Sequence, residues 1–199
     1  EAKLLEIVLK AGALPAPVEI VEQRSVGASL GEDSIRSGLL SSGLATLLTI
    51  IFMVMYYRTG GVVADVAVVF CMVLLLGILA AFHGTLTLPG IAGIILTLAV
   101  AVDANVLIYE RVREEQATGK TLRAAIDAGY QKAFTAIFDS NLTTFITGLI
   151  LFQFGTGPVQ GFALTLMIGI AASMFSAIFI TRVIFNILTD KSSAAVNFG

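Results

Sequence analysis

Charged residues are scarce in this sequence, and their scarcity limits what kind of protein it encodes. Only 13% of the 199 residues are Asp, Glu, Lys or Arg, whereas 57% are hydrophobic. Soluble domains carry about 25% charged residues. With a mean hydropathy of +0.93, the long uncharged runs would expose large apolar patches in water. The composition therefore predicts a protein whose main solvent is lipid.

Cysteine and histidine are also nearly absent, which removes several kinds of site. Cys71 is the single cysteine, so the chain cannot form an internal disulfide. His83 is the single histidine and has no cysteine nearby, which argues against a metal site. The net charge of −2 leaves no basic surface for nucleic acid. We expect neither a metal nor a nucleic-acid partner.

Enzyme motifs are missing as well. There is no GxSxG nucleophile motif. Thr118 to Thr121 reads TGKT, but a phosphate-binding loop requires glycine at position 114, where this chain has Glu114. A helix that ends near Gly119, followed by one capped by Thr121, explains the segment better. We therefore predict no enzymatic activity and no cofactor.

The uncharged stretches predict five transmembrane helices. Residues 37–57 form one span, because about 20 apolar residues cross a hydrocarbon core of about 30 Å. The uncharged runs 66–102 and 140–181 are each too long for one crossing and contain Gly and Pro near their middles. The predicted spans are 37–57, 62–82, 89–109, 134–154 and 159–187, within a transmembrane domain of residues 36–190. The predicted fold class is an all-α membrane protein.

The flanking segments complete this organisation. Residues 1–12 have a helical pattern and residues 18–26 alternate like a strand, so residues 1–35 are interpreted as a short α/β remnant of an extracytoplasmic soluble domain. Residues 110–132 are too polar to cross the membrane and are predicted as cytoplasmic surface helices. Residues 191–199 are predicted as a tail.

Basic residues predict the orientation of the chain. Arg58, Lys191 and the five Lys and Arg residues of 110–132 fall on one side of the membrane, whereas the turns at 83–90 and 154–160 contain none. Positive charge in short loops marks the cytoplasmic side. Five crossings then place the residues after the last span in the cytoplasm and the N-terminal fragment outside.

Asp103 is the strongest candidate functional residue. It lies about 21 Å of helical rise below Pro89 and about 12 Å above Arg111, which places it within the hydrocarbon. An ionised carboxylate there costs roughly 2.5–3.5 kcal/mol, so Asp103 should face the bundle interior and work in an ion path. The alternative is a protonated or hydrogen-bonded Asp that joins helices.

Three further sets of residues are considered beside it. Asn105 continues a row with Gly93, Thr97 and Ala101 that favours close helix packing over direct proton handling. Asp139 could share a dry site with Asp103, where one of two carboxylates would hold a proton near neutral pH. It could equally be a carboxylate favoured by a helix N-terminus. A second small-residue row consists of Gly169, Ser173 and Ala177.

Three motifs in order resemble the SecD family, which is part of the SecD/SecF group in the RND permease superfamily. They are GALPAPVEIVEQRSVGASLG at residues 12–31, LAVAVDANVLIYERVREE at 98–115 and FDSNLTTFI at 138–146. The resemblance covers about residues 4–188. Ala28 and Ser140 depart from the usual Pro and Ala, and the family's first span and large soluble domain are not in this sequence.

The resemblance implies five helices of an RND-type six-helix half that pairs with SecF and attaches to the SecYEG channel, often with YidC, in the bacterial inner membrane. It implies a proton-driven role in late-stage export of unfolded preproteins, with Asp103 in the proton pathway. Membrane lipid is the expected surrounding. Two alternatives stay open: a fragment of an RND lipid or drug exporter, and a scaffold for the translocon that moves no ions.

Overall fold

A computed structural model describes residues 28–82, 87–191 and 197–198, and these residues form a bundle of long helices. In chain order the helices are α1 (Ala28–Tyr57), α2 (Thr59–Ala81), α3 (Leu88–Ala117), α4 (Leu122–Phe154) and α5 (Pro158–Phe175), followed by the π-helical segment Ser176–Ile180 and α6 (Thr181–Lys191). The last three elements follow one another without a break. No strand occurs in the described part of the chain.

Five stretches of this bundle are long and apolar enough to cross a membrane: Ile35–Tyr57, Thr59–Ala81, Leu88–Ala117, Leu122–Phe154 and Pro158–Asp190. The predicted all-α membrane fold and its number of spans are confirmed. Residues 1–27 of the predicted α/β fragment lie outside the described residues. Residues 28–35, which we assigned to that fragment, instead begin α1, because a helix can continue past the lipid boundary while its backbone hydrogen bonds persist.

The charged segment 110–132 differs from the predicted separate surface helices. Its first part extends α3 to Ala117 and its second part begins α4 at Leu122. Ion pairs three residues apart support the extension of α3: Arg111 to Glu114 at 2.7 Å and Arg113 to Glu110 at 3.0 Å. Extending an existing helix avoids the cost of starting a new one.

The turn between α3 and α4 is short. Gly119 has φ +89°, a conformation that glycine adopts without steric cost. Thr121 stands in the N-cap position of α4, but its side chain makes no capping hydrogen bond. The predicted helix break near Gly119 is therefore found, whereas capping by the Thr121 hydroxyl is not.

Helix α3 is central, since it contacts α1, α2, α4 and α5. Its N-terminal half lies against α5 through small residues: a Cβ atom placed on Gly93 would press on Thr165, and one on Gly169 would collide with Thr97. Residue numbers increase in the same direction along both helices from the first contact to the second, so α3 and α5 run parallel. Small side chains let two membrane helices approach this closely.

Candidate functional site

Asp103 lies in the middle of α3, and its side chain is exposed on the outside of the five-helix bundle. The prediction that it faces the bundle interior is wrong for this chain. Consecutive helical residues are about 100° apart, so Asp103 lies about 200° around the helix from the buried residues Ala101 and Asn105. It makes no hydrogen bond or ion pair with any described residue.

Two grooves meet at Asp103. The first, called the α1 groove, has a volume of about 620 Å³ and separates α1 from α3, with Met72 of α2 beside them. Its walls are mostly apolar, and Ser42, Thr46 and Thr49 of α1 contribute the hydroxyl groups. Asp103 is the only ionisable side chain among its described lining residues.

The second groove, called the α4 groove, has a volume of about 420 Å³ and separates α3 from α4. Ser140, Asn141 and Thr144 line its α4 wall opposite Asp103. Asn141 is buried and donates a hydrogen bond from Nδ2 to the Ile137 carbonyl at 2.8 Å. A carboxyl group therefore faces a row of hydroxyl and amide groups. The Ser140 and Thr144 hydroxyls donate to the Ile137 and Ser140 carbonyls at 3.1 and 3.0 Å, which leaves their oxygens as acceptors.

Asp139 is exposed and lines neither groove. Its neighbour on the same helix, Thr143, donates its hydroxyl to the Asp139 backbone carbonyl at 2.9 Å. The structure therefore does not bring the two carboxylates into one groove. Residues Ser140, Asn141 and Thr144, which follow Asp139 in the sequence, occupy the position opposite Asp103.

Asn105 points in the other direction from Asp103. It is 1% exposed, and its Nδ2 donates to the Ala101 carbonyl at 2.9 Å. Asn105 Oδ1 and the Tyr109 hydroxyl are buried without a hydrogen-bond partner among the described residues. Asn105 thus belongs to the inner face of α3, which also carries Thr97 and Ala101.

The row Gly169, Ser173 and Ala177 is buried within the bundle. Gly169 lies against Thr97, which is also buried and donates its hydroxyl to the Gly93 carbonyl at 2.9 Å. The two small-residue rows that stand out in the sequence therefore meet where Thr97 lies against Gly169, in the interface between α3 and α5.

A buried carboxylate at the α3–α4 turn gave no signal in the sequence. Glu115 is 5% exposed, and its two oxygens contact Lys120 and Lys132, the latter at 2.6 Å. Lys132 is 17 residues away across a turn, so no helical spacing reveals the pair. The residues that the structure describes contain no group of three or more His, Cys, Asp or Glu side chains that could hold a metal ion.

Known proteins are similar to this chain over most of its length. Residues 9–191 match the family described as protein export membrane protein SecD/SecF, C-terminal. Protein translocase subunit SecD of Rhodothermus marinus is 65% identical over 199 residues, which is 100% of this chain and 32% of that protein. SecD of Syntrophobacter fumaroxidans is 62% identical over 94% of this chain and 35% of that protein.

Solved structures agree with these relatives. The crystal structure of SecDF from Thermus thermophilus, a translocon-associated membrane protein, matches with a TM-score of 0.83 and 41% identity over 97% of this chain and 27% of that one. SecDF in its super-membrane-facing form matches with a TM-score of 0.79 and 41% identity over 94% and 26%. The chain thus spans about a third of the length of the curated relatives it matches.

Proposed function

The chain belongs to the SecD/SecF C-terminal family, and on this premise we propose that it is the membrane half of an auxiliary subunit of the Sec preprotein translocase. In this proposal the subunit uses the proton-motive force, together with SecF, to promote late-stage protein export across the bacterial inner membrane. The observation that carries the proposal is the exposed Asp103 carboxylate where two grooves meet in the middle of a membrane helix.

An exposed carboxylate at this depth must be shielded from lipid. An ionised Asp in contact with lipid costs roughly 2.5–3.5 kcal/mol, and Asp103 has no partner in the described part of this chain that would offset the cost. A second membrane subunit packed over α3 and α4 would shield it. We assign this position to SecF, with polar or basic side chains facing Asp103 and the hydroxyl groups of the α4 groove.

Protonation of Asp103 gives the proposed coupling step. A neutral carboxyl group avoids most of the desolvation cost, so protonation favours a packing in which Asp103 is dry, and deprotonation favours one in which it is hydrated or paired. A difference of roughly 2.5–3.5 kcal/mol shifts a two-state equilibrium by about two orders of magnitude. Proton flow can bias helix packing only through such a difference.

The remaining partners and the orientation belong to the same proposal. The SecYEG channel and YidC are the proposed neighbours, and an unfolded preprotein is the cargo. The basic residues of 110–132 and Arg58 would face the cytoplasm, as the positive-inside rule predicts, and the residues after α6 would then be cytoplasmic. SecDF from Thermus thermophilus is a translocon-associated membrane protein, which supports such an assembly.

Secretion driven by the proton-motive force tests the proposal. The full-length protein and its Asp103→Asn variant are each co-expressed with SecF, and the amounts of complex in the membrane are checked. Asp190→Asn is the matched control, since Asp190 is an exposed carboxylate that pairs with Arg123 at 2.9 Å at the end of the bundle. Loss of export by Asp103→Asn alone, with an intact complex, supports the coupling role. Full export by Asp103→Asn favours a scaffold that moves no ions.

A further inference from the structure

Helix α1 is attached to the bundle mainly at one end. Between residues 35 and 57, Met53 and Tyr57 are the only buried side chains, at 0% and 3% exposure. The rest of this stretch is exposed or half-buried, and part of it forms one wall of the α1 groove. Helix α1 is thus packed against the bundle near Tyr57, whereas the part of α1 that faces Asp103 across the groove has no buried residue.

The C-terminal end of α1 is closely packed against α3. The Tyr57 hydroxyl donates to Glu110 Oε1 at 2.9 Å, and its ring lies 5.5 Å from the Tyr109 ring, both on α3. Arg58, between α1 and α2, has φ +51°, a region that non-glycine residues rarely occupy. A Cβ atom on Gly61 would collide with the Met53 carbonyl. The junction of α1 and α2 around Tyr57, Arg58 and Gly61, called the α1–α2 corner, is therefore closely packed.

Residues 197–198 are bound beside this corner. The Gly60 N–H donates to the Asn197 carbonyl at 3.1 Å, and the Thr59 hydroxyl donates to the same oxygen at 2.8 Å. Phe198 is 2% exposed. Its ring centroid lies 5.3 Å from that of Tyr109 and 5.2 Å from that of Phe185.

The site for Phe198 depends on glycine at position 60. A Cβ atom there would lie 2.9 Å from Cδ1 of the Phe198 ring, closer than a normal carbon contact. Phe198 thus joins the start of α2 to α3 through Tyr109 and to α6 through Phe185. Aromatic rings at these separations contribute packing energy beyond the area they bury.

We propose that Phe198 is a positioning residue: by filling this site it holds the α1–α2 corner and so sets the width of the α1 groove beside Asp103. The link to proton coupling rests on the function proposed above, whereas the packing role does not. Removal of the ring would free the corner, let α1 move away from α3 and increase access to the groove.

Thiol labelling in the full-length protein with its SecF partner tests this role. Cys71, which is buried, is replaced by alanine, and a reporter cysteine is placed at Thr46 in the α1 groove or at Thr144 in the α4 groove. Labelling by a membrane-permeant maleimide is followed in native membranes. We expect Phe198→Ala to accelerate labelling at position 46 severalfold and to leave labelling at position 144 unchanged.

Gly60→Ala gives an independent test, because it displaces the ring without removing it. It should accelerate labelling at position 46 as Phe198→Ala does, and the two changes together should add little to either alone. Gly77→Ala on the same helix is the matched control, since a Cβ atom there meets nothing within 4 Å. Phe198→Leu, which keeps an apolar side chain in the site, should restore most of the protection.

Two results would overturn the proposal: unchanged labelling at position 46 in both variants, or equal acceleration at both reporter positions, which indicates general loosening. The readout separates this idea from the export function. Accelerated labelling together with full export by Asp103→Asn would support the role of Phe198 and contradict the coupling role of Asp103. Unchanged labelling together with loss of export by Asp103→Asn would contradict only the role of Phe198.

Discussion

Asp103 and Asn105 are two residues apart on α3, yet their side chains lie on opposite sides of the helix: Asp103 is exposed and Asn105 is buried. One helix therefore uses one polar face for packing within this chain and another for the grooves. Substitutions at the two positions should have separable effects on stability and on export.

Replacement of Asp103 should affect export more than replacement of Asp139. Asp103 lines both grooves and Asp139 lines neither. We expect Asp103→Asn to abolish the component of secretion that depends on the proton-motive force, and Asp139→Asn to retain most of it. Secretion assays with matched membrane levels measure both. An equal loss in the two variants would favour a shared carboxylate site over the geometry described above.

Asn105→Ala should be tolerated. The substitution removes one hydrogen bond from Asn105 to its own helix, and it also removes a buried oxygen that has no partner among the described residues. A net hydrogen bond contributes about 1 kcal/mol. We therefore expect the free energy of unfolding in detergent to fall by about that amount at most, with export retained. Lost export at normal stability would instead indicate direct proton handling by Asn105.

Gly169→Ala should destabilise the bundle. The added methyl group would collide with Thr97 on α3, and overpacking of this kind costs about 1–3 kcal/mol. Thermal unfolding in detergent measures the loss, with Gly77→Ala as the control. Combination with Thr97→Ala should recover part of it, because the colliding side chain is then shortened. Additive losses in the double variant would mean that the contact is not the cause.

Glu115→Gln should weaken the α3–α4 turn. Glu115 is buried, and its carboxylate contacts both Lys120 and Lys132. Glutamine keeps the shape but removes the charge that holds the two ammonium groups, so the melting temperature should fall. High salt should reduce the difference between variant and parent, because the lysine side chains are partly exposed and their attraction is screened. Glu114→Gln on the exposed side of the same helix is the control.

The span count and the helix–helix interface were within reach of the sequence. Uncharged length alone reveals five spans, and rows of small residues mark the surfaces where α3 and α5 meet. Uncharged length can be read from a single stretch of sequence, and the rows of small residues repeat with the period of a helix. The same period could have placed Asp103 opposite Ala101 and Asn105, but the cost of a charge in lipid suggested an inward position instead.

Asp103 is exposed on this chain, and in the assembly proposed above a second subunit would supply the interior that this chain does not. The cost of exposing Asp103 to lipid applies to the complete set of membrane helices, and it can be met by a neighbouring subunit. The binding of Phe198 beside Gly60 could not be foreseen for a different reason. It depends on contacts with Gly60 and Tyr109, which lie far from Phe198 in the sequence, and no periodic pattern in residues 191–199 indicates it.

The π-helical segment Ser176–Ile180 affects the phase of the last span. Residues four apart in an α-helix drift by about 40° around the axis, so a row with this spacing soon turns away from a straight neighbour. A π-helical turn holds an additional residue and takes back some of that rotation. The row at every fourth residue from Thr165 through Gly169, Ser173, Ala177 and Thr181 to Phe185 is buried throughout. A regular α-helix of the same length would instead keep drifting by about 40° for every four residues, and α6 would then turn Phe185 away from Tyr109.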